Sequence, residues 1–294
     1  MAWIKVRRNI APTSVPRWAL QPLRSKNMLK LWLFALPLVA LAANPPEWSR
    51  PFPPHRIAGH IYYVGTEDLG CYLITGKSGH ILLNTGLEDS PAMIAASIEK
   101  LGFKLTDVKI LLTNQAHFDH VAGLADMQKM TGAKVFATPP DAPLIESGGK
   151  ADPSGFTNYK PTKVDRILKD GDLIQLGEIT LKTIHHFGHT PGSSSYETTI
   201  TENGKKLNFL MVNMGSVVMP LTSPGYPNIV KDFRATFAHQ KTLRPDIWVA
   251  THGSQYDLKE KFRTKNFLNG ASYQEAVADY DKRFERQVKI ELGQ

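Results

Sequence analysis

The densest group of chemically capable side chains in this sequence is the segment NQAHFDH, residues 114–120. It places His117, Asp119 and His120 directly after the apolar run VKILLT, which is typical of a buried strand. Imidazole and carboxylate groups are ligands that a borderline metal such as zinc accepts. Because sites in layered α/β proteins lie beyond the carboxyl ends of strands, the segment predicts a metal site at such an end.

Two further histidines occupy the same kind of position. His189 lies in the glycine-bounded turn that follows ITLKTIHH, and His252 comes directly after DIWVAT; both runs are typical of strands. A lone histidine is more often a core or surface residue than a ligand. Three strand ends that each offer a histidine, one of them inside a dense cluster, predict ligands that converge on one place.

The alternation of side chains in an extended segment bears on how many metals the site holds. It puts Gln115, His117 and Asp119 on one face and turns His120 to another. This arrangement favours two adjacent metals over one.

The other histidines carry two interpretations. His185 and His186 either line the site or support a ligand from behind. The rest are interpreted as structural or surface residues: His55, His60, His80 and His239.

Strands and helices alternate along the chain in an order that would carry the histidines to one edge. Strands are predicted within residues 60–65, 71–75, 80–86, 108–113, 134–138, 173–177, 179–186, 194–199, 206–213 and 246–251. Helices are predicted over residues 90–102, 121–132, 229–243 and 272–292. The first helix would have Ser90 as its N-cap and Pro91 at its first position.

The intervening segments complete the predicted domain. Residues 44–56 are proline-rich and predict an extended arm, and residues 139–163 predict a long loop with room for one helical turn. Two halves that each run from strands to helices predict one layered α/β domain over residues 43–294.

The positive charge of the sequence is concentrated at its start. The net charge is +8, but residues 1–42 contain seven basic residues and no acidic one, which leaves 28 basic against 27 acidic residues and a net of +1. A body so close to neutral gives little electrostatic reason to bind nucleic acid, and we expect no such partner. Cys71 is the only cysteine, so no internal disulfide is expected.

The basic start resembles an export signal. Lys30 precedes twelve uncharged, mostly apolar residues, which end in the small-residue sequence ALA at 40–42. The alternative is a membrane anchor, but twelve helical residues span only about 18 Å of a bilayer core of about 30 Å. We therefore expect residues 1–42 to be an extension and signal peptide, cut before Ala43. The mature protein would be periplasmic and free of any stable membrane anchor.

Three elements together resemble the metallo-β-lactamase superfamily. They are the pattern H-x-H-x-D-H after a strand, the sequence GHTPGS, and a histidine at a later strand end; here the first element reads Q-x-H-x-D-H. The resemblance covers roughly residues 48–270. It implies an α/β fold, a four-layer αββα sandwich, with the metals at one edge of the sheets.

The strand after GHTPGS favours one branch of that superfamily. Glyoxalase II, lactonases and related hydrolases typically have a metal-bridging aspartate there, whereas this sequence reads FLMVNMGSVV. Lactamases also lack that aspartate, and those of subclass B3 usually have a serine nearby. Met214 stands in the place of this serine, with Ser216 two residues on. Gln115 together with VNMGS resembles the GOB-type branch of subclass B3, which has Gln in place of the first metal-binding His.

The resemblance implies two metal sites, which we call the first site and the second site. The first site comprises Gln115, His117 and His189. The second site comprises Asp119, His120 and His252. It implies Zn²⁺ as the cofactor, one or two per chain, with Asp119 as the catalytic residue that binds metal and orients the attacking water.

These expectations define a function. We expect a monomeric zinc-dependent β-lactamase that hydrolyses penicillins, cephalosporins or carbapenems by attack of metal-bound hydroxide and gives antibiotic resistance. Ser216 and Met214 are the expected substrate contacts. The alternative is an exported metallohydrolase of the same superfamily that acts on lactones, thioesters or phosphoesters. A non-catalytic metal-binding protein is the third possibility. A serine mechanism is unsupported because GXSXG is absent from the sequence.

Overall fold

Two mixed β-sheets form the centre of this computed structural model, which describes residues 43–155, 158–268 and 270–294. In the described residues the first sheet contains, in spatial order, β1 (His55–Ala58), β2 (Ile61–Tyr63), β3 (Tyr72–Gly76), β4 (Gly79–Leu83), β5 (Val108–Leu112), β6 (Lys134–Ala137) and β7 (Arg166–Ile167). The strands β1 to β4 are antiparallel neighbours, and β4 to β7 are parallel.

The second sheet is built from the later part of the chain. Its strands are β8 (Leu173–Leu176), β9 (Ile179–His185), β10 (Ser194–Glu202), β11 (Lys205–Val212) and β12 (Ile247–Ala250). They lie in the order β12-β11-β10-β9-β8; β11 and β12 are parallel, and the other neighbouring pairs described are antiparallel.

The helices flank the sheets. They are α1 (Ser90–Lys100), α2 (Phe118–Val121), α3 (Leu124–Thr131), α4 (Asp141–Ser147), α5 (Ile229–Gln240), α6 (Leu258–Thr264) and α7 (Gly270–Leu292). No helix in the described part of the chain is long and apolar enough to cross a membrane. Residues 44–294 form one compact unit.

The central strands of the first sheet, β3 to β6, are largely buried on both faces, which explains their continuous apolar runs. In β4, Ile81 and Leu83 pack into the core between the sheets, while Leu82 packs on the opposite face with Ile94 and Ile98 of α1. Burial of each such side chain stabilises the fold by about 1.5–3 kcal/mol. Helices therefore cover this sheet on its outer face.

The outer face of the second sheet is covered in the same way. Phe233 and Phe237 of α5 stack on each other and pack against Phe284 of α7, and all three belong to the core that the sheet lines. The layers are therefore helices, sheet, sheet and helices, and the predicted αββα sandwich is confirmed.

Each predicted strand and helix has a counterpart, with two corrections. The helix predicted over 121–132 is α3, which begins only at Leu124, and the residues before it form a separate short helix, α2, because the chain turns at Gly123. A Cβ there would collide with the backbone oxygens of Thr85 and Leu87, so the close approach needs glycine. Ser90 is not the N-cap of α1, since Asp89 holds that position and the Ser90 hydroxyl accepts a hydrogen bond from Leu87 N at 3.0 Å.

Three short elements were not predicted. The strand β1 lies at the end of the predicted arm, and α6 follows the last predicted strand. The strand β7 is only two residues long, and both residues are exposed. The predicted loop 139–163 contains the two turns of α4. The predicted export signal lies outside the described residues and stays a prediction.

Candidate metal centre

The loop after β5 is held in place by a buried asparagine, which sequence reasoning missed. Asn114 donates to Ser194 O at 2.8 Å from its side chain, and its backbone oxygen accepts hydrogen bonds from Ser194 N at 2.8 Å and Asn213 Nδ2 at 3.1 Å. Asn84, at the end of β4, donates to Asn114 Oδ1 at 3.1 Å and accepts from Asn114 N at 3.0 Å. The strand ends of both sheets are thus tied together beside the metal-ligand cluster.

The chain turns into α2 within the cluster itself. His117 is the N-cap, and its carbonyl accepts hydrogen bonds from His120 N at 3.0 Å and Val121 N at 3.1 Å. The extended alternation predicted from the sequence therefore ends at His117. Asp119, predicted to share a face with His117, instead lies with His120 in the first turn of the helix.

The second site is assembled from α2 and the end of β12. Asp119 Oδ2 lies 3.1 Å from His120 Nε2 and 3.4 Å from His252 Nε2. Metal–nitrogen distances of about 2.1 Å in a tetrahedron place two ligand atoms about 3.4 Å apart. The three side chains therefore have the spacing that one zinc-sized ion requires.

The first site has two of its predicted members in contact. His117 Nδ1 lies 3.2 Å from His189 Nε2, which is again a spacing that one ion can bridge. Gln115 is buried, and its Oε1 has no hydrogen-bond partner among the described residues. A buried amide oxygen without a partner is costly unless something else binds it.

Ring nitrogens of two ligand histidines are in the same condition. Nε2 of His120, which faces the Asp119 carboxylate at 3.1 Å, has no hydrogen-bond partner in the described part of the chain, and neither do the outer nitrogens His120 Nδ1 and His117 Nε2. Buried polar groups are almost always paired, so this concentration of unpaired atoms fits a bound cation. The donor set of imidazole nitrogens, one carboxylate and one amide oxygen suits zinc.

The orientation of two ligand histidines is fixed from behind. His189 Nδ1 donates to Ser216 O at 2.6 Å, and His252 Nδ1 donates to Asp68 Oδ2 at 2.9 Å. Both contacts require the proton on Nδ1 and leave the lone pair of Nε2 for a metal. Gly215 permits the first contact, because a Cβ there would collide with the side chain of His189.

The two sites differ in charge. Burial lowers the pKa of His117, and burial together with neighbouring His117 lowers the pKa of His189 to about 3, so both rings are neutral at pH 7. Burial disfavours the charged form of Asp119, but His120 and His252 outweigh it and hold the pKa of this carboxyl well below its usual range. The first site therefore offers neutral donors, and the second site adds a negative charge.

The charge of the second site also acts on its own histidine. Burial favours the neutral form of His252, but hydrogen bonds and charges from Asp119 and Asp68 outweigh burial and raise its pKa to about 9. His252 is thus held between two carboxylates, and a metal bound at its Nε2 would displace a proton from that nitrogen.

A cavity of about 360 Å³ opens onto both sites. Its walls combine apolar side chains with ligands, namely Trp48, His117, Phe118, Asp119, His189, Ser216, Val218 and His252. The volume suits a small molecule. The structure therefore brings Ser216 to the cavity, whereas Met214 is fully buried in the core and does not line it.

The histidines with open interpretations lie away from the ligands. His185 Nε2 donates to Leu168 O at 3.1 Å, and His186 is buried between Ser195 Oγ at 2.6 Å and His239 Nδ1 at 3.2 Å. No contact found among the described residues joins either ring to a ligand. Burial, with nearby histidines, lowers the pKa of His186 to about 3, which keeps it a neutral structural residue.

Comparison with known proteins supports this geometry. Residues 71–201 match the metallo-beta-lactamase superfamily. The crystal structure of the metallo-beta-lactamase GOB-18 from Elizabethkingia meningoseptica is 41% identical, with a TM-score of 0.81, over 84% of this chain and 96% of that chain. FEZ-1 metallo-beta-lactamase from Legionella gormanii is 34% identical, with a TM-score of 0.80, over 82% of this chain and 97% of that chain.

The curated relatives that the chain matches first are hydroxyacylglutathione hydrolases rather than β-lactamases. A hydroxyacylglutathione hydrolase from Rhodopseudomonas palustris (strain BisB5) is 30% identical over 131 residues, which are 45% of this chain and 43% of that hydrolase. The chain thus spans less than half the length of the curated relatives that it matches first.

Proposed function

This chain belongs to the metallo-β-lactamase superfamily, and we propose that it is a zinc-dependent β-lactamase of subclass B3, in the branch with glutamine at the first ligand position. The observation that carries the proposal is the pair of adjoining ligand groups on one cavity, with no carboxylate following β11. That strand end holds Asn213 and Met214, both buried, and Asn213 is bonded to Asn114. The bridging aspartate expected of the thioester and lactone hydrolases is thus missing.

The hydrolysis of a β-lactam needs a nucleophile at neutral pH and stabilisation of charge on the carbonyl oxygen. When bound, zinc lowers the pKa of a coordinated water to about 7 and polarises a carbonyl. Asp119, together with His120 and His252, would hold the ion, and its low pKa keeps it ionised at pH 7. An ionised carboxylate at this position could also accept a hydrogen bond from the attacking water and orient it.

The walls of the cavity would bind the substrate and exclude water from it. Trp48, Phe118 and Val218 present apolar surface to the substrate rings. The exposed hydroxyl of Ser216 donates a hydrogen bond to the carboxylate that β-lactams carry beside the ring nitrogen. These contacts hold the amide against the two sites, which lowers the entropy cost of reaction.

The proposal extends to the setting of the enzyme. Residues 1–42 would direct export to the periplasm, where the mature monomer would meet β-lactam antibiotics and give resistance. The small-molecule substrate is its only proposed partner.

The test is hydrolysis of a carbapenem and a chromogenic cephalosporin by the purified protein, with and without a zinc chelator. We expect turnover of at least one substrate, abolished by the chelator and restored by added zinc. A His185→Gln variant is the matched control, since this histidine lies close in sequence to a ligand, but its ring donates to Leu168 O and stacks on Phe187, away from the ligand groups. Absence of chelator-sensitive hydrolysis of both substrates contradicts the proposal.

The similarity to hydroxyacylglutathione hydrolases favours one alternative. A hydrolase of this alternative kind would cleave a thioester with the same two sites. A panel of thioesters and lactones, assayed beside the β-lactams, distinguishes the two functions. Chelator-sensitive cleavage of a thioester at a higher kcat/KM than any β-lactam would favour the alternative.

A further inference from the structure

One carboxylate outside both metal sites collects three hydrogen bonds. Asp68 lies in the turn between β2 and β3 and accepts from His252 Nδ1 at 2.9 Å and from Trp48 Nε1 at 3.1 Å, both at Oδ2. Its other oxygen, Oδ1, accepts from Ser254 N at 2.9 Å. A ligand of the second site and a wall of the substrate cavity therefore share one acceptor.

We propose that Asp68 is a positioning residue that couples metal binding at the second site to the placement of Trp48 against the substrate. The inference rests on the proposed function, because it takes His252 as a zinc ligand. Asp68 itself belongs to neither ligand group and does not line the cavity of about 360 Å³.

Several hydrogen bonds hold the turn that presents Asp68. Thr66 Oγ1 accepts a hydrogen bond from Leu69 N at 2.8 Å, and the Tyr63 hydroxyl reaches Thr66 O at 2.6 Å and Leu69 O at 3.0 Å. The turn is also joined to the end of β12, since Gly70 N donates to Thr251 O at 2.8 Å. These hydrogen bonds therefore fix the position of the Asp68 carboxylate relative to His252.

The position of the Asp68 carboxylate sets the orientation of the His252 ring. The Asp68 contact holds the imidazole with Nε2 3.4 Å from Asp119 Oδ2, where the second site lies. A carboxylate that accepts the outer N–H of a ligand histidine fixes the ring and raises its basicity. Loss of such a partner lowers metal affinity by about 10- to 100-fold.

The same oxygen anchors the cavity wall. Trp48 ends a short 3-10 turn in the N-terminal arm, and the arm is held to the turn through the hydrogen bond from Glu67 N to Arg50 O at 2.9 Å. The indole ring lies 5.6 Å from the ring of His252 and 6.1 Å from that of Phe118. A half-buried indole N–H needs an acceptor, and Asp68 supplies it.

The decisive variant is Asp68→Asn, measured in the full chain. The amide has the same shape, but one of its two ends becomes a donor that faces N–H groups, so at least one of the three hydrogen bonds is lost. We expect the zinc dissociation constant of the tighter site, measured by competition with a chromogenic chelator, to rise about 10- to 100-fold. The absorption spectrum of the cobalt-substituted protein should change as well.

Two further variants separate the two roles. Trp48→Phe keeps an aromatic ring but removes the N–H that Asp68 accepts, together with part of the ring surface, so we expect KM for the cephalosporin to rise with zinc affinity unchanged. Asp68→Glu retains the charge and should recover part of the zinc affinity. Glu67→Gln is the matched control: this neighbouring carboxylate pairs with Lys259 at 2.7 Å and Arg50 at 3.2 Å, away from His252, and should leave both quantities unchanged.

The outcomes separate the inference from the proposed function. Failure of the unmodified protein to bind zinc overturns the proposed function. If it binds zinc and folded Asp68→Asn binds equally well, the positioning role is wrong. If thermal unfolding shows that Asp68→Asn does not fold, the other two variants decide. An unchanged KM in Trp48→Phe overturns the coupling. A zinc affinity of Asp68→Glu equal to that of Glu67→Gln overturns it as well.

Discussion

The first and second sites have nearly the same spacing but different chemistry. The ligand pairs lie 3.2 Å apart in the first site and 3.1 and 3.4 Å apart in the second. The first site has a neutral amide where the second has the carboxylate of Asp119. Because the spacing is so similar, we expect the charge of the donors to decide which site holds a metal more tightly.

The outer contacts reinforce this difference. His252 of the second site donates to the Asp68 carboxylate at 2.9 Å, whereas His189 of the first site donates to a backbone carbonyl, Ser216 O. His117 faces a carboxylate too, but its Nε2 lies 3.8 Å from Asp152 Oδ2, which is too long for a hydrogen bond. We infer that the second site is the firmer one and carries more of the reaction.

The largest expected effect comes from breaking the second site. His252→Ala removes one of its two imidazoles and should lower kcat/KM for the cephalosporin by about a thousandfold, because loss of several kcal/mol of charge stabilisation changes rates by that order. Gln115→Ala should cost about tenfold, since it removes only a neutral donor worth about 1.4 kcal/mol. Equal losses in the two variants, measured at the same free zinc, would falsify the asymmetry.

The next effect concerns the number of metals. If the sites differ in affinity by about a hundredfold, or about 2.7 kcal/mol, limiting zinc fills one site before the other. We expect metal analysis of protein equilibrated at limiting zinc to give nearer one zinc than two per chain, with activity retained. Two tightly held zinc ions, or activity that emerges only with the second, would show that the sites are equivalent.

The asymmetry can also be reduced by design. Gln115→His replaces the neutral amide with an imidazole, a stronger zinc ligand. The second zinc should then bind about tenfold more tightly, in line with about 1.4 kcal/mol from the better donor. The measurement is a zinc titration of both proteins against a chelator. An unchanged second binding step means that the amide is not what weakens the first site.

The sequence predicted the strands and the candidate ligand residues better than it predicted the residues that hold those ligands in place. Strands buried on both faces, such as β4 and β5, were readable because apolar runs bounded by turns leave few alternatives. The αββα fold was implied by the family resemblance. The break before α3 was missed because it depends on the contact of Gly123 with the loop after β4, a long-range contact that no local pattern contains.

The same limit applies to the site. His117, Asp119 and His120 are close in sequence, so their proximity was predictable. The helix α2, which begins after His117, nevertheless places Asp119 beside His120 rather than on the face of His117. Asp68 and Asn114 were overlooked because their roles arise from partners that are 184 and 80 residues away. A buried polar residue has no periodic signature, and only the folded chain shows what it bonds.

The smallest predicted effect tests the outer contact of the first site. Asp152→Asn should weaken the second zinc-binding step by only about threefold, well below the loss of about 10- to 100-fold that a hydrogen-bonded carboxylate partner confers. The reason is that the Asp152 carboxylate already accepts hydrogen bonds from Ser154 N at 2.9 Å and Ser154 Oγ at 2.6 Å, and stands 3.8 Å from the His117 ring. A zinc titration of Asp152→Asn beside Asp68→Asn compares the two carboxylates directly. If the two variants lose affinity equally, the difference between 2.9 and 3.8 Å does not matter, and the asymmetry must come from Gln115 alone.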